Sequence, residues 1–258
     1  MAMRSPIIVG YYTMVRKDFV RIMRIWSQTL LPPAVTMALY FAIFGTFIGS
    51  QVANISGFPY IQFIVPGLVM MSVITSSYMN TVSTLYFAKW IKTIHEVMVS
   101  PMPTWVVVAG YTSGGVLRGF LVATVVIAVS LFFTHLTLFN IGVIIGAALL
   151  TSLLFSLLGL INAMYAKSFD AINIVPTFVL TPLTYLGGIF YSIDQLPEFF
   201  RIVSLFNPIL YMVNAFRYGF LGITDVSLEL AFGVMGGLTV LAFIVVMYLF
   251  HKGYGLKS

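Results

Sequence analysis

The chain has 258 residues, of which 60% are hydrophobic and only 8% charged, with a formal net charge of +6. An average soluble domain carries about 25% charged residues, so this balance excludes a water-soluble globule and points to an integral membrane protein. The lack of cysteine excludes a disulfide framework or thiolate metal site, and His95, His135 and His251 are too scattered to share an ion.

The basic residues lie beside apolar runs, not in a stripe with interleaved aromatics, so the charge does not point to a nucleic-acid partner. The first apolar run, 7–15, is short and ends at Arg16-Lys17-Asp18 with no small-residue cleavage site, so it is read as retained. Residues 6–27 form an amphipathic segment. Val15, Phe19, Ile22 and Trp26 recur on one face, and Lys17, Arg21 and Arg24 on the other. Such a helix can lie among membrane lipids in the headgroup plane, its cations near anionic lipid; an ordinary cytoplasmic leader is the plainer alternative.

A spanning helix needs about 20 mostly apolar residues. Six runs qualify: 30–49, 60–87, 103–133, 139–165, 171–191 and 228–250. An even number puts both termini on one side. Arg4, Arg16, Lys17, Arg21, Arg24, Lys89, Lys92, Lys167, Lys252 and Lys257 fall on that side, against Arg201 and Arg217 on the other, so both termini are expected in the cytoplasm. No internal repeat or linker is visible, and 1–258 reads as one membrane domain.

Along the second run, Ser72, Ser76, Asn80 and Ser83 make a polar stripe that can line a path or bond helices together. The next loop, 88–100, reads as a short amphipathic cytoplasmic helix. Lys89, Lys92 and Glu96 are its polar residues, with Lys92 and Glu96 at i,i+4, and Trp90, Ile94, Val97 and Met98 its apolar ones. Docking on a partner and resting on headgroups both fit this pattern. Arg118 falls about 22 Å into the third run, counting 1.5 Å per residue from Pro103. It can snorkel to the inner interface or act as a gate or substrate contact. The pairs Gly115/Gly119, Gly142/Gly146 and Gly233/Gly237 suggest close helix packing. In the fifth run Pro176 and Pro182, with Thr177, Thr181 and Thr184, predict a kinked helix facing protein.

The stretch "GGIFYSIDQLPEFFRIVSLFNPILYMVNAFRYGFLG" interrupts the apolar pattern. Pro197 and Pro208 each suit a first helical position, Asn207 a cap and Gly222 a stop. Two helices too short to span are expected over 192–222. They form a re-entrant hairpin dipping into the outer leaflet or lie flat upon it.

No G-x-x-x-x-G-K-[ST] loop, H-E-x-x-H or G-x-S-x-G motif occurs, and every Asp and Glu is expected in a loop or at a helix end. A proton- or sodium-coupled carrier would need intramembrane acids. The energy for any transport is therefore expected from another chain.

Gly187, Gly188, Phe190, Leu196, Pro197, Asn207, Pro208, Tyr211 and Arg217 together resemble the signature of ABC-2-type permeases, and Glu96 to Pro101 resembles that family's segment after its coupling helix. The resemblance implies an all-α membrane fold with six spans, an N-terminal interfacial helix and an outer hairpin. It further implies a homodimer in a bacterial inner membrane, bound to two copies of a separate ATPase subunit. ATP and magnesium would belong to that subunit, and no cofactor to this chain. Residues 89–98 would be the coupling helix, and Lys89, Trp90, Lys92, Ile94, Glu96 and Val97 would meet the ATPase together with Arg21 and Arg24. Ser72, Ser76, Asn80, Arg118, Thr181, Tyr185, Tyr211 and Arg217 would line or gate the path of an amphiphilic, lipid-like, glycan or drug substrate. A membrane enzyme acting on lipids or glycans is the alternative; it calls for clustered interfacial acids or a histidine.

Overall fold

The structure, a computed structural model, describes residues 6–49, 51 and 54–255. Arg4 and Lys257, counted above among the terminal cations, lie outside the described residues. Within them the chain is helical, and the loop after the first span holds only an isolated bridge between Ile55 and Phe58.

Helix α1 covers Pro6–Arg24. Helix α2 is the helical stretch Trp26–Gly45, whose later part belongs to the wide π-turns of Phe41–Ile48. Then follow α3 (Tyr60–Trp90), α4 (Ile94–Val99), α5 (Thr104–Ser130), α6 (Ile141–Tyr165) and α7 (Ala171–Tyr185). Helices α8 (Glu198–Leu205), α9 (Pro208–Leu221) and α10 (Leu228–Lys252) complete the order. Five of these, α2, α3, α5, α6 and α10, are long and apolar enough to cross a membrane, with a sixth if the bent pair α8–α9 counts as one crossing. The chain is a multi-pass membrane protein. In hydrocarbon a helix satisfies its own backbone bonds, so apolar runs of this length become helices regardless of individual propensities.

The run 171–191 is shorter than expected. Helix α7 stops at Tyr185, and Gly188 turns the chain with φ +71°. At about 1.5 Å per residue it reaches roughly 22 Å, less than the ~30 Å of a hydrocarbon core. The predicted kink is present as a π-turn over Pro176–Leu180, and the Thr181 hydroxyl donates to the Pro176 carbonyl at 3.0 Å.

Helix α3 is the axis of the bundle, packed against both α5 and α6. Phe63, Ile64, Val65, Leu68, Val69 and Met70 are all buried, so its first turns are enclosed, while Thr75 and Phe87 face outward. Small residues allow the approach. A Cβ at Gly115 would meet Thr81 Cγ2 at 2.9 Å and the Ser156 hydroxyl, and one at Gly159 would meet the Tyr78 carbonyl at 2.7 Å. Gly119 faces Ser77 and Ser152 in the same seam. The Gly233/Gly237 pair does not pack as its spacing suggests, because neither residue meets any atom within 4 Å.

Helix α1 runs lengthwise along the first half of α5, with Gly10 opposite Met102, Met14 opposite Gly110 and Asp18 opposite Gly114. The two α5 glycines open the groove in which Met14 and Asp18 sit. The face of α1 that meets α5 carries Gly10, Met14 and Asp18. Ile22 is buried, but Phe19 and Trp26 are exposed, and Asp18 is buried mid-helix rather than at an end.

Candidate functional site

At one end of the bundle α3 finishes at Trp90, and Lys92 takes a left-handed φ of +61° before α4 begins. The helix expected over 88–100 is thus only Ile94–Val99. The break undoes the i,i+4 pairing of Lys92 with Glu96, and no ion pair joins them among the described residues. Ile94 is buried and Val97 half-buried, while Trp90, Glu96, Met98 and Val99 are exposed, leaving an apolar face beside one carboxylate. Lys89 turns inward. Its Nζ donates to the carbonyls of Ala163 (2.8 Å), Met164 (3.0 Å) and Ala166 (3.4 Å), satisfying the last turn of α6.

Deeper in, Arg21 Nη2 donates to Asn80 Oδ1 at 2.9 Å and lies 3.5 Å from Asp18 Oδ1. The face predicted for Arg21 pointed at headgroups; the side chain instead reaches the bundle, while Arg24 stays exposed. Burial raises the pKa of Asp18 above the ordinary carboxylate range, opposed by the nearby Arg21 and Lys17 cations. Arg118, half-buried midway along α5, feels the like charge of Arg21, and its Nε has no partner. Of the expected stripe, Ser72 donates to the Leu68 carbonyl at 3.0 Å and Ser76 is buried. The structure therefore joins Asn80 to Arg21, two residues that the sequence assigns to different tasks. Asp18 and Arg21 stand at i,i+3, the one sequence signal that could have revealed the seam.

At the opposite end, Asn207 and Pro208 start α9 as expected. The Asn207 side chain accepts from Ile209 N at 3.0 Å, and its Nδ2 donates to the Leu183 carbonyl of α7 at 2.6 Å. Pro197 precedes α8, Gly222 ends α9 at φ +73°, and the two helices meet at 88°. The Tyr211 hydroxyl donates to the Leu205 carbonyl at 2.8 Å, stapling the bend. Arg217 is 1% exposed. Its Nη2 donates to the Gly188 carbonyl at 2.5 Å, its Nε donates to the Phe63 carbonyl at 3.4 Å, and the guanidinium lies 3.8 Å over the Phe63 ring. Gly188 presents that carbonyl through its left-handed turn, and Gly187 lets α9 approach, since a Cβ there would meet Ile209 at 2.8 Å.

The sequence reading missed Asp225. It lies 3.9 Å from Arg217 Nη1 and accepts from the Ser192 hydroxyl at 2.7 Å. It also missed Asn214, whose Oδ1 accepts from Asp225 N at 2.8 Å; its i,i+3 spacing to Arg217 was the available hint. Beside this knot Tyr185 bridges to Tyr40 by a hydroxyl contact of 3.0 Å and stacks on Phe190 at 5.9 Å. Thirteen residues before Tyr185, Ile172 anchors the start of α7 to Asn162, whose Nδ2 donates to its carbonyl at 3.0 Å.

The ABC-2 type transporter family model matches residues 10–221. The chain is 52% identical over 242 residues to the inner membrane transport permease YadH of Escherichia coli K12, covering 94% of each chain. It is also 26% identical over 215 residues to nodulation protein J of Rhizobium leguminosarum bv. viciae, covering 80% of each. A 22% identity over 221 residues relates it to nodulation protein J of Rhizobium meliloti, covering 85% of this chain and 84% of the relative.

Proposed function

Since the chain belongs to the ABC-2 type transporter family, we propose that it is the membrane half of an inner-membrane exporter, working as a homodimer with two copies of a separate ATPase subunit. The observation that carries this reading is the family match over 10–221, which includes α4 and the α8–α9 pair. Membership implies a partner ATPase. The exposed face of α4, with Glu96 beside Val97, Met98 and Val99, suits a helix seated in a groove of that subunit. Both termini then lie in the cytoplasm, α7 together with the non-helical residues that follow it to Tyr191 makes the fifth crossing, and α8–α9 forms a re-entrant hairpin at the outer mouth.

In this reading ATP binding rocks two copies of the chain, and the hairpin opens as the Arg217 clamp on Gly188 and Phe63 moves with α9. Arg118 faces the inner approach and Thr181 and Tyr185 the outer one, while the buried Ser72, Ser76, Asn80 and Tyr211 hold the helices that frame the path. The cargo is an amphiphile taken from the inner leaflet.

Native mass spectrometry of the tagged chain, gently solubilised from its own host, tests the assembly. Two copies of the chain with two nucleotide-binding subunits are expected. A chain that emerges alone across several detergents would remove the support for an external energy source.

A further inference from the structure

Two cavities have Tyr165, the last residue of α6, in their walls. The first, of about 510 Å³, lies at the end of the bundle where α3, α6 and α10 finish. Lys89, Lys92 and Lys167 line it, with aromatic walls from Trp90, Tyr165 and Tyr254. Among the described residues no carboxylate lines it. Lys89 is held by the α6 carbonyls, but Lys92 and Lys167 are exposed and in no ion pair among the described residues. The second cavity, of about 540 Å³, runs from Tyr165 between α6, α7 and α10. Leu154, Leu158, Val179 and Leu238 are typical of its walls, and Tyr78 and Asn162 are their few polar residues.

A basic, aromatic-rimmed pocket that shares the wall residue Tyr165 with a hydrocarbon-lined slot is complementary to one kind of molecule. We propose that these cavities form a single binding site for an anionic phospholipid. The phosphate sits against Lys92 and Lys167, and an acyl chain passes Tyr165 into the slot. Lysine meets phosphate as a point charge, and basic pockets between spans at a membrane's edge take acidic headgroups. Tyrosine and tryptophan favour the same depth because their rings are apolar at one end and wet at the other. Moving a chain from bilayer to slot exchanges hydrocarbon for hydrocarbon, so discrimination falls to the headgroup. The site rests on the chain's spanning a membrane, and needs no ATPase to be read.

The test uses the full chain with any bound subunit retained, in mixed micelles holding equal amounts of phosphatidylglycerol and phosphatidylcholine of matched chains. Native mass spectrometry should show phosphatidylglycerol retained several-fold over phosphatidylcholine. The double variant Lys92→Gln/Lys167→Gln should bring the ratio close to one. The variant Arg201→Glu, an equal change of charge at the opposite end of the bundle, should leave the ratio unchanged. Leu238→Trp, which fills the slot, should lower retention of both lipids, and millimolar inorganic phosphate should displace neither. Equal retention by the native chain would overturn the site, as would a preference that survives loss of the two lysines or vanishes in the remote variant. Displacement by phosphate would overturn the acyl half. A preference seen only once the ATPase subunit is stripped away would assign the pocket to that partner, and would equally overturn the lipid site. Because the readout is lipid, a chain found without an ATPase refutes the exporter reading and leaves this one standing.

Discussion

Arg21 and Asn80 are joined by a hydrogen bond of 2.9 Å that fastens α1 to the central helix of the bundle. The same guanidinium lies 3.5 Å from Asp18, so one cation serves a carboxylate on its own helix and an amide on another. A charged donor to a buried acceptor contributes about 1.5–3 kcal/mol. Partial exposure of Arg21 puts this bond at the lower end. A double-mutant cycle with Arg21→Ala and Asn80→Ala, read by thermal melting in detergent, should give a coupling of about 1.5 kcal/mol. Strict additivity would mean that the bond does not hold α1 in place.

Asp18 supplies a pH dependence whose sign follows from its surroundings. Burial raises its pKa above the ordinary value of 3.8. The folded chain then binds the proton more tightly than the unfolded chain, so stability falls as pH rises from the ordinary value through the raised one. Melting temperature should decline across that window in the native chain relative to Asp18→Asn. Parallel curves for the two proteins would remove Asp18 as the source.

Arg217 is the fully buried cation of the opposite end, with acceptors from Gly188, Ile189 and Phe63 and a carboxylate in Asp225. Breaking a buried pair by removing one partner costs about 3–5 kcal/mol. Arg217→Met should therefore give little monodisperse protein. Arg217→Lys should rescue it only in part, because one ammonium cannot reach the fork of acceptors that a guanidinium reaches. Full rescue by lysine would reduce the role of Arg217 to charge alone.

The seam between α3, α5 and α6 offers an internal contrast. Gly115→Val forces a branched side chain against Thr81 and Ser156, and overpacking of this kind costs about 1–3 kcal/mol. Gly237→Ala adds its methyl to open space and should leave melting of the solubilised chain unchanged. Equal losses in both would show that the glycines act through the helix backbone, not the packing.

Asn207 does two jobs that substitution can separate. Asn207→Asp keeps the cap on Ile209 N but loses the donor to Leu183, whereas Asn207→Ala loses both. A lost cap costs about 0.5–2 kcal/mol. Alanine should thus melt lower than aspartate, and aspartate lower than the native chain. Identical melting for aspartate and the native chain would make the link to α7 dispensable.

The sequence by itself determined which segments are helical and where most of them end. Long apolar runs have one low-energy form in hydrocarbon. Signals such as Asn207-Pro208 and Gly222 act within a few residues of the chain, so they are legible without a fold: Asn207 Oδ1 accepts from Ile209 N at 3.0 Å, as a cap should. The signature residues Gly187, Gly188 and Arg217 were legible as a pattern. Their meeting across 29 residues was not.

Only the tertiary structure decided which polar groups turn inward. Arg21 and Lys89 read as headgroup or docking charges, and Asp18 as a residue of a loop or helix end, because a linear pattern ranks faces by apolar content. In the folded chain Gly110 and Gly114 open a groove for α1, and the end of α6 leaves carbonyls that need donors. A cation goes where unpaired acceptors cost more than its own desolvation, and those acceptors come from helices distant in sequence. The shortening of α7 has the same origin: its last turn gives way to a left-handed Gly188 whose carbonyl is taken by Arg217, a partner that no local spacing could supply.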